Sequence, residues 1–155
     1  MTFDRELRPP LGALLVRKGL LTKERLDGAL AERAQTGELL GQVLLRRGWI
    51  FEDELARVLA EQHDLEFLNL RSVGVDRRLL PLIPAEDGRR LLAVPVRVVE
   101  GGDVLTAIAD PNDRDGMAEL AAIASKKSRS LRLAVAEPSA IDEIWERFVR
   151  GVALV

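Results

Sequence analysis

Histidine occurs once in this 155-residue chain, at His63, and cysteine does not occur. Without a thiol there are no disulfides and no thiolate metal sites. A lone imidazole with no Cys partner reads as a surface or helix-end residue. Asp110, Asn112, Asp113 and Asp115 cluster, and clustered carboxylates can hold Ca²⁺ or Mg²⁺. The spacing of a Ca²⁺ loop and its terminal Glu are missing here. The cluster therefore reads as a chain break, with Asp113 capping the helix that follows. Gly101-Gly102 reads as a hairpin turn rather than a phosphate cradle. There is no GxxxxGK[ST] stretch to hold phosphates, no GxSxG and no HExxH. No nucleophile, base and oxyanion donors gather in the sequence, so the reading is a non-enzyme with no catalytic and no metal residues.

Composition narrows the remaining classes. With 47% hydrophobic and 31% charged residues, the chain is a folding one rather than a disordered one. Its net charge of -2 argues against a general nucleic-acid binder. The longest apolar runs are too short to cross a bilayer. The start, MTFDRELRPP, lacks the apolar middle of a signal peptide. The expectation is a cytoplasmic protein with no nucleic-acid partner and no direct membrane insertion.

The strongest signal is a repeat. LGALLVRKG begins at Leu11 and LGQVLLRRG at Leu40. At an offset of 29, Leu11 falls on Leu40, Gly12 on Gly41, Leu15 on Leu44, Arg17 on Arg46 and Gly19 on Gly48. Leu26 falls on Leu55, Leu30 on Leu59 and Glu32 on Glu61. Each copy reads as two helices: one ending at a Gly suited to a left-handed C-terminal position, and one with an apolar face. Thr22 is the expected N-cap of the second helix. The two hairpins should pack face to face with pseudo-twofold or translational symmetry. Gly12 and Gly41 sit near a helix start, where Gly is intrinsically poor. Close approach of a backbone would explain them, and what approaches is either another helix or a ligand.

The second half alternates types. Short helices are expected near Asp76–Leu80 and Ala85–Arg90, cut by Pro81 and Pro84. Leu92–Val99 and Asp103–Ala109 read as strands of a hairpin, with Pro95 demanding an edge position or a bulge. A helix follows Asp113, Ser130–Ala136 is a third strand, and a last helix carries Ile141, Ile144, Trp145 and Phe148 on one face. The predicted fold class is α+β: a four-helix pair of duplicated hairpins followed by a small three-stranded α+β subdomain. The predicted segments are residues 1–62, a connecting segment with short helices at 63–89, and the subdomain at 90–155.

These patterns together resemble the N-terminal domain of bacterial type II secretion and type IV pilus assembly ATPases. That family repeats a motif of the form RLGxxLxxxG…LxxxLxxQ. Residues 10–33 and 39–62 fit the frame, with AQTGE as spacer. The downstream stretches LLPLIP from Leu79, AVPVRV from Ala93 and ADPND from Ala109 also match the family.

The resemblance implies a cytoplasmic module, peripheral to the inner membrane, that docks an ATPase motor on the cytoplasmic part of an inner-membrane platform protein. The alternative is a stand-alone cyclic di-GMP sensor or adaptor. In some members the double motif binds cyclic di-GMP, one guanine half per copy. No cofactor is implied beyond that regulatory ligand. Carried over, the ligand set is Leu11, Gly12, Leu26, Leu30 and Arg33 in the first copy. In the second copy it is Leu40, Gly41, Leu55, Leu59 and Gln62. The first motif position is Pro10 in one copy and Leu39 in the other, where binders carry Arg, and Arg33 replaces the terminal Gln. An Arg on a guanine edge is worth roughly 1–3 kcal/mol. Losing two such contacts weakens binding by about two to four powers of ten.

Overall fold

The computed structural model describes residues 8–153. Residues 1–7 and 154–155 of the predicted first and last segments lie outside the described residues. The fold divides into two units at Leu65/Glu66.

The first unit consists of α1 (Leu11–Arg17), α2 (Lys23–Thr36), α3 (Leu40–Arg46) and α4 (Glu52–His63). Gly19 and Gly48 follow α1 and α3 with φ of 74° and 70°, the left-handed region in which a Cβ is disfavoured. Both close the same reversal. The Gly19 and Gly48 N–H groups donate to Val16 and Leu45 oxygens at 3.0 Å, and Leu20 and Trp49 donate to Leu15 and Leu44, also at 3.0 Å. This is the two-bond Schellman closure, which satisfies carbonyls that a helix end leaves free. Thr22 caps α2 as predicted, its Oγ1 accepting from the Arg25 N–H at 3.2 Å. Phe51 stands at the same place before α4 and has no oxygen to offer. There the Glu54 carboxylate turns back and accepts from the Phe51 N–H at 3.2 Å.

Packing crosses between the copies: α1 lies against α4, and α2 against α3. Exchanging the copies converts one contact into the other, which is the signature of an approximate twofold. Leu15, Val43, Leu44 and Leu59 fill the unit's interior at 0–1% exposure.

The second unit is built on a mixed sheet in the order β1-β4-β3-β2. Its strands are β1 (Glu66–Phe67), β2 (Ala93–Val98), β3 (Val104–Ile108) and β4 (Leu131–Val135). Helices α5 (Leu70–Val73), α6 (Ala85–Leu91), α7 (Arg114–Ser125) and α8 (Pro138–Ala153) accompany it, with a 3₁₀ turn at Arg77–Leu82. The β2–β3 pair is the predicted antiparallel hairpin, and β4 runs parallel to β3. Pro95 has both features its missing N–H calls for: β2 is an edge strand, and the register shifts between Pro95 and Arg97. Asp113 caps α7, accepting from the Gly116 N–H at 3.0 Å.

The three-stranded count needs correcting to four. Glu66–Phe67 pairs parallel with Ala134–Val135, and the Leu68 N–H donates to the Val135 oxygen at 2.8 Å. Two residues are too few to show a strand period. The stretch after them does not run free: Leu68, Leu70, Leu80, Leu82 and Ile83 enter the same core as the sheet. On α8, Ile141 and Trp145 are fully buried, and Ile144 and Phe148 pack against that core. The Trp145 Nε1–H donates to the Ala93 oxygen at 2.8 Å, so the indole satisfies its own donor while filling the centre.

Candidate functional site

The repeat unit places its candidate residues unequally. Gly12 is buried in the first turn of α1, and a Cβ built there would stand 2.5 Å from Leu26 Cδ1. The missing side chain thus admits Leu26 of the following helix. Leu26 is half-buried and Leu30 is 41% exposed, whereas their counterparts Leu55 and Leu59 are 4% and 1% exposed. Leu11 and Leu40 are buried at 6% and 7%, and Gly41 is buried beside Leu40. Among the apolar candidates, those with surface left for a ligand belong to α2 of the first copy.

The polar candidates also differ. Arg33 is exposed on α2. Gln62, half-buried at the end of α4, donates through Nε2 to the Pro9 oxygen at 3.0 Å. Next to it, Arg8 Nη1 donates to His63 Nδ1 at 2.9 Å. The segment leading into α1 is therefore tied to the end of α4. Pro10 and Leu39 are the N-cap residues of α1 and α3, with φ/ψ of -60°/146° and -70°/150°. Leu39 donates its N–H to Gln42 Oε1 at 2.9 Å, a bond that Pro10 cannot make.

Ion pairs reproduce the twofold. Lys18 meets Glu61 at 2.5 Å, and Arg47 meets Glu32 at 2.6 Å. At the repeat offset Lys18 corresponds to Arg47 and Glu61 to Glu32, so each copy's cation grips the other copy's carboxylate. The Glu32 identity with Glu61 was the sequence signal for this clamp, legible only once the pairing across copies is known. Arg46 adds contacts to Glu32 at 3.0 Å and to Glu38 at 2.7 Å. Hydrogen bonds from Arg47 and Arg46 hold the Glu32 carboxyl below the ordinary carboxylate range, and Arg46 does the same to Glu38. The guanidinium carbons of Arg25 and Arg47 lie 5.5 and 5.7 Å from the Trp49 ring centroid, within cation–π range. Arg46 and Arg47 are thus committed to protein partners, whereas the Arg33 guanidinium has no hydrogen bond or ion pair among the described residues.

The Asp110 cluster is a turn in this structure. Asp110 Oδ1 accepts from the Asn112 N–H at 2.9 Å. Burial pushes its carboxyl up to about 6, and the neighbouring Asp113 adds to that rise. Among the described residues no three His, Cys, Asp or Glu side chains stand where they could hold a metal ion. Nor is any helix among them long and apolar enough to cross a membrane.

Comparison with known proteins agrees with this architecture. The MshEN domain model matches residues 63–153. Type IV pilus assembly ATPase PilB of Thermus thermophilus is 36% identical over 138 residues, covering 88% of this chain and 15% of that protein. PilB of Myxococcus xanthus is 32% identical over 103 residues, covering 66% and 18%. The chain thus spans less than a fifth of these curated relatives. A solved structure of MshE with cyclic di-GMP superposes with a TM-score of 0.75 at 28% identity, covering 90% of this chain and 99% of that one. The N-terminal domain of XpsE shares the fold, with a TM-score of 0.75 at 24% identity over 92% of this chain and 94% of that one. The chain belongs to the MshEN domain family and is homologous to the N-terminal domains of secretion and pilus ATPases.

Proposed function

We propose that this chain is a non-catalytic regulatory and docking domain of a type II secretion or type IV pilus assembly ATPase. It couples the motor to the cytoplasmic part of an inner-membrane platform protein, peripheral to that membrane, and cyclic di-GMP tunes the coupling. The observation that carries the reading is the likeness to MshE with cyclic di-GMP across 90% of the chain, joined to a duplicated hairpin that keeps the motif's Leu and Gly positions in both copies.

The ligand would lie on the repeat, contacting the set Leu11, Gly12, Leu26, Leu30, Arg33, Leu40, Gly41, Leu55, Leu59 and Gln62. Burial ranks these residues. Leu26 and Leu30 offer apolar surface for a base, and Arg33 offers a donor fork for a guanine edge. The buried leucines support that surface from beneath. With no phosphate-binding loop the domain holds no triphosphate, so ATP and GTP are not turned over.

Titration calorimetry of the purified domain with cyclic di-GMP tests the ligand. Saturable binding that Leu30→Ala and Arg33→Ala each weaken supports the reading, and no heat at millimolar ligand refutes it. Capture of the platform protein's cytoplasmic part, with and without cyclic di-GMP, tests the coupling. Steady nucleotide turnover lost with a point mutation in the domain would refute its non-enzymatic role.

A further inference from the structure

A cleft of about 440 Å³ opens in the second unit between α5, the 3₁₀ turn and α8. Leu70, Val75, Leu80, Ile144 and Phe148 give it an apolar floor, and Arg71, Arg77, Arg147 and Glu143 its polar lining. Arg71 Nε and Arg147 Nη2 both donate to the Glu143 carboxylate, at 3.2 Å each. Arg71 also reaches Glu137 at 3.6 Å and Ser139 Oγ at 3.4 Å, residues outside the lining. The Arg77 guanidinium has no hydrogen bond or ion pair among the described residues. The lining therefore carries an excess of positive charge on a chain whose net charge is negative.

We propose that this cleft docks an acidic amphipathic helix of a partner protein, its apolar side chains on the floor and its carboxylates on Arg77, Arg147 and Arg71. The inference rests on the docking reading above and is independent of the cyclic di-GMP reading. A charged rim around an apolar floor needs both halves matched, and an amphipathic helix matches both. A small anion would use the rim alone and leave the floor wet. Glu143 holds two of the guanidinium groups in place beforehand, which lowers the ordering cost of binding.

The test uses the full chain and two fluorescein-labelled helical peptides of about five turns. One carries Leu on one face and Glu on its flanks, and the other has Lys in place of every Glu. Fluorescence anisotropy should show binding of the acidic peptide, weakening as salt rises, and none of the basic one. Arg77→Glu combined with Arg147→Gln should weaken it at least about tenfold, while Arg132→Gln, on exposed β4 surface outside the lining, should not. Unchanged Trp145 emission establishes that the double variant is folded. Absence of acidic-peptide binding, indifference to the double variant, or full competition by inorganic phosphate would overturn the proposal. The platform protein's cytoplasmic part is captured in parallel. Capture that the double variant leaves intact overturns the cleft but not the docking reading. Peptide binding without any capture supports the cleft and removes the platform as partner.

Discussion

Glycine-to-alanine substitution should have opposite signs in two helices of this chain, and the structure says why. A Cβ built on Gly88, in α6, would stand 2.7 Å from Trp145 Nε1 and closer still to Cζ2 and Cε2. Ordinary carbon contacts lie near 3.5–4.0 Å, so α6 and the indole must part by roughly 1 Å. The indole has nowhere to go: it is fully buried, it donates to the Ala93 oxygen at 2.8 Å, and Phe148 lies edge-on at 6.1 Å. Overpacking of this kind costs about 1–3 kcal/mol. If the indole moves, the Ala93 carbonyl loses its partner, which costs about 1–3 kcal/mol more. Gly88→Ala should therefore destabilise the second unit by about 3 kcal/mol, lowering its Tm by about 10 °C or more. At Gly28, in α2, the same Cβ would meet Trp49 Cη2 at 3.8 Å, an ordinary contact. Gly28→Ala should then stabilise by about 0.5–1 kcal/mol through helix propensity alone. The chain has two tryptophans, one in each unit. Thermal melts read by Trp145 emission in a Trp49→Phe background isolate the first effect, and melts read by Trp49 in a Trp145→Phe background isolate the second. If Gly88→Ala melts within about 2 °C of the parent with unchanged Trp145 emission, the close packing of α6 on the indole is wrong.

Three further outcomes are expected. Because burial raises the Asp110 carboxyl from 3.8 to about 6, its contribution to stability is fully present below about pH 4 and is lost as pH rises through 6; Asp110→Asn keeps an oxygen for the Asn112 N–H and should flatten that part of the denaturant-midpoint profile. Thr22→Ala removes the α2 cap and should cost about 1 kcal/mol in urea unfolding, while an unchanged midpoint would mean that water replaces the hydroxyl without loss. Pro10→Arg with Leu39→Arg should raise cyclic di-GMP affinity by calorimetry with little change in ligand-free melting, since both residues are N-caps in extended conformation, and unchanged affinity would place the guanine edges elsewhere.

Local rules made much of this fold legible. Gly19 and Gly48 end helices because a left-handed residue must, and Pro95 forces both an edge and a register shift because it cannot donate. Asp113 caps because its carboxylate reaches the Gly116 N–H. What escaped was whatever depends on a distant partner. Glu66–Phe67 is a strand only because Ala134–Val135 lies beside it. Leu70–Val73 is one helical turn with no room for a period of its own. The ion-pair clamp was half visible, since its cations and carboxylates recur at the repeat offset, yet the crossing that joins Lys18 to Glu61 rather than to Glu32 is a tertiary fact.

The same limit applies to the candidate site. Leu26 and Leu55 are identical residues at equivalent positions, as are Leu30 and Leu59, and a sequence reading must treat the members of each pair alike. Burial separates them: the second copy's pair is interior, while Leu30 in the first copy is 41% exposed. A perfect twofold could not produce that difference, and the copies also diverge in sequence. Thr22 and Phe51 begin the second helices with different caps, and Leu20 is matched by Trp49, whose ring reaches across to Gly28. Arg33 lies on the same helix as the exposed pair, and Gln62, its counterpart, is taken up by the Pro9 carbonyl. A symmetric ligand meeting this surface would find one half-site open and the other largely filled by the protein itself. On the proposed reading, cyclic di-GMP should be held with one strong and one weak half, led by α2.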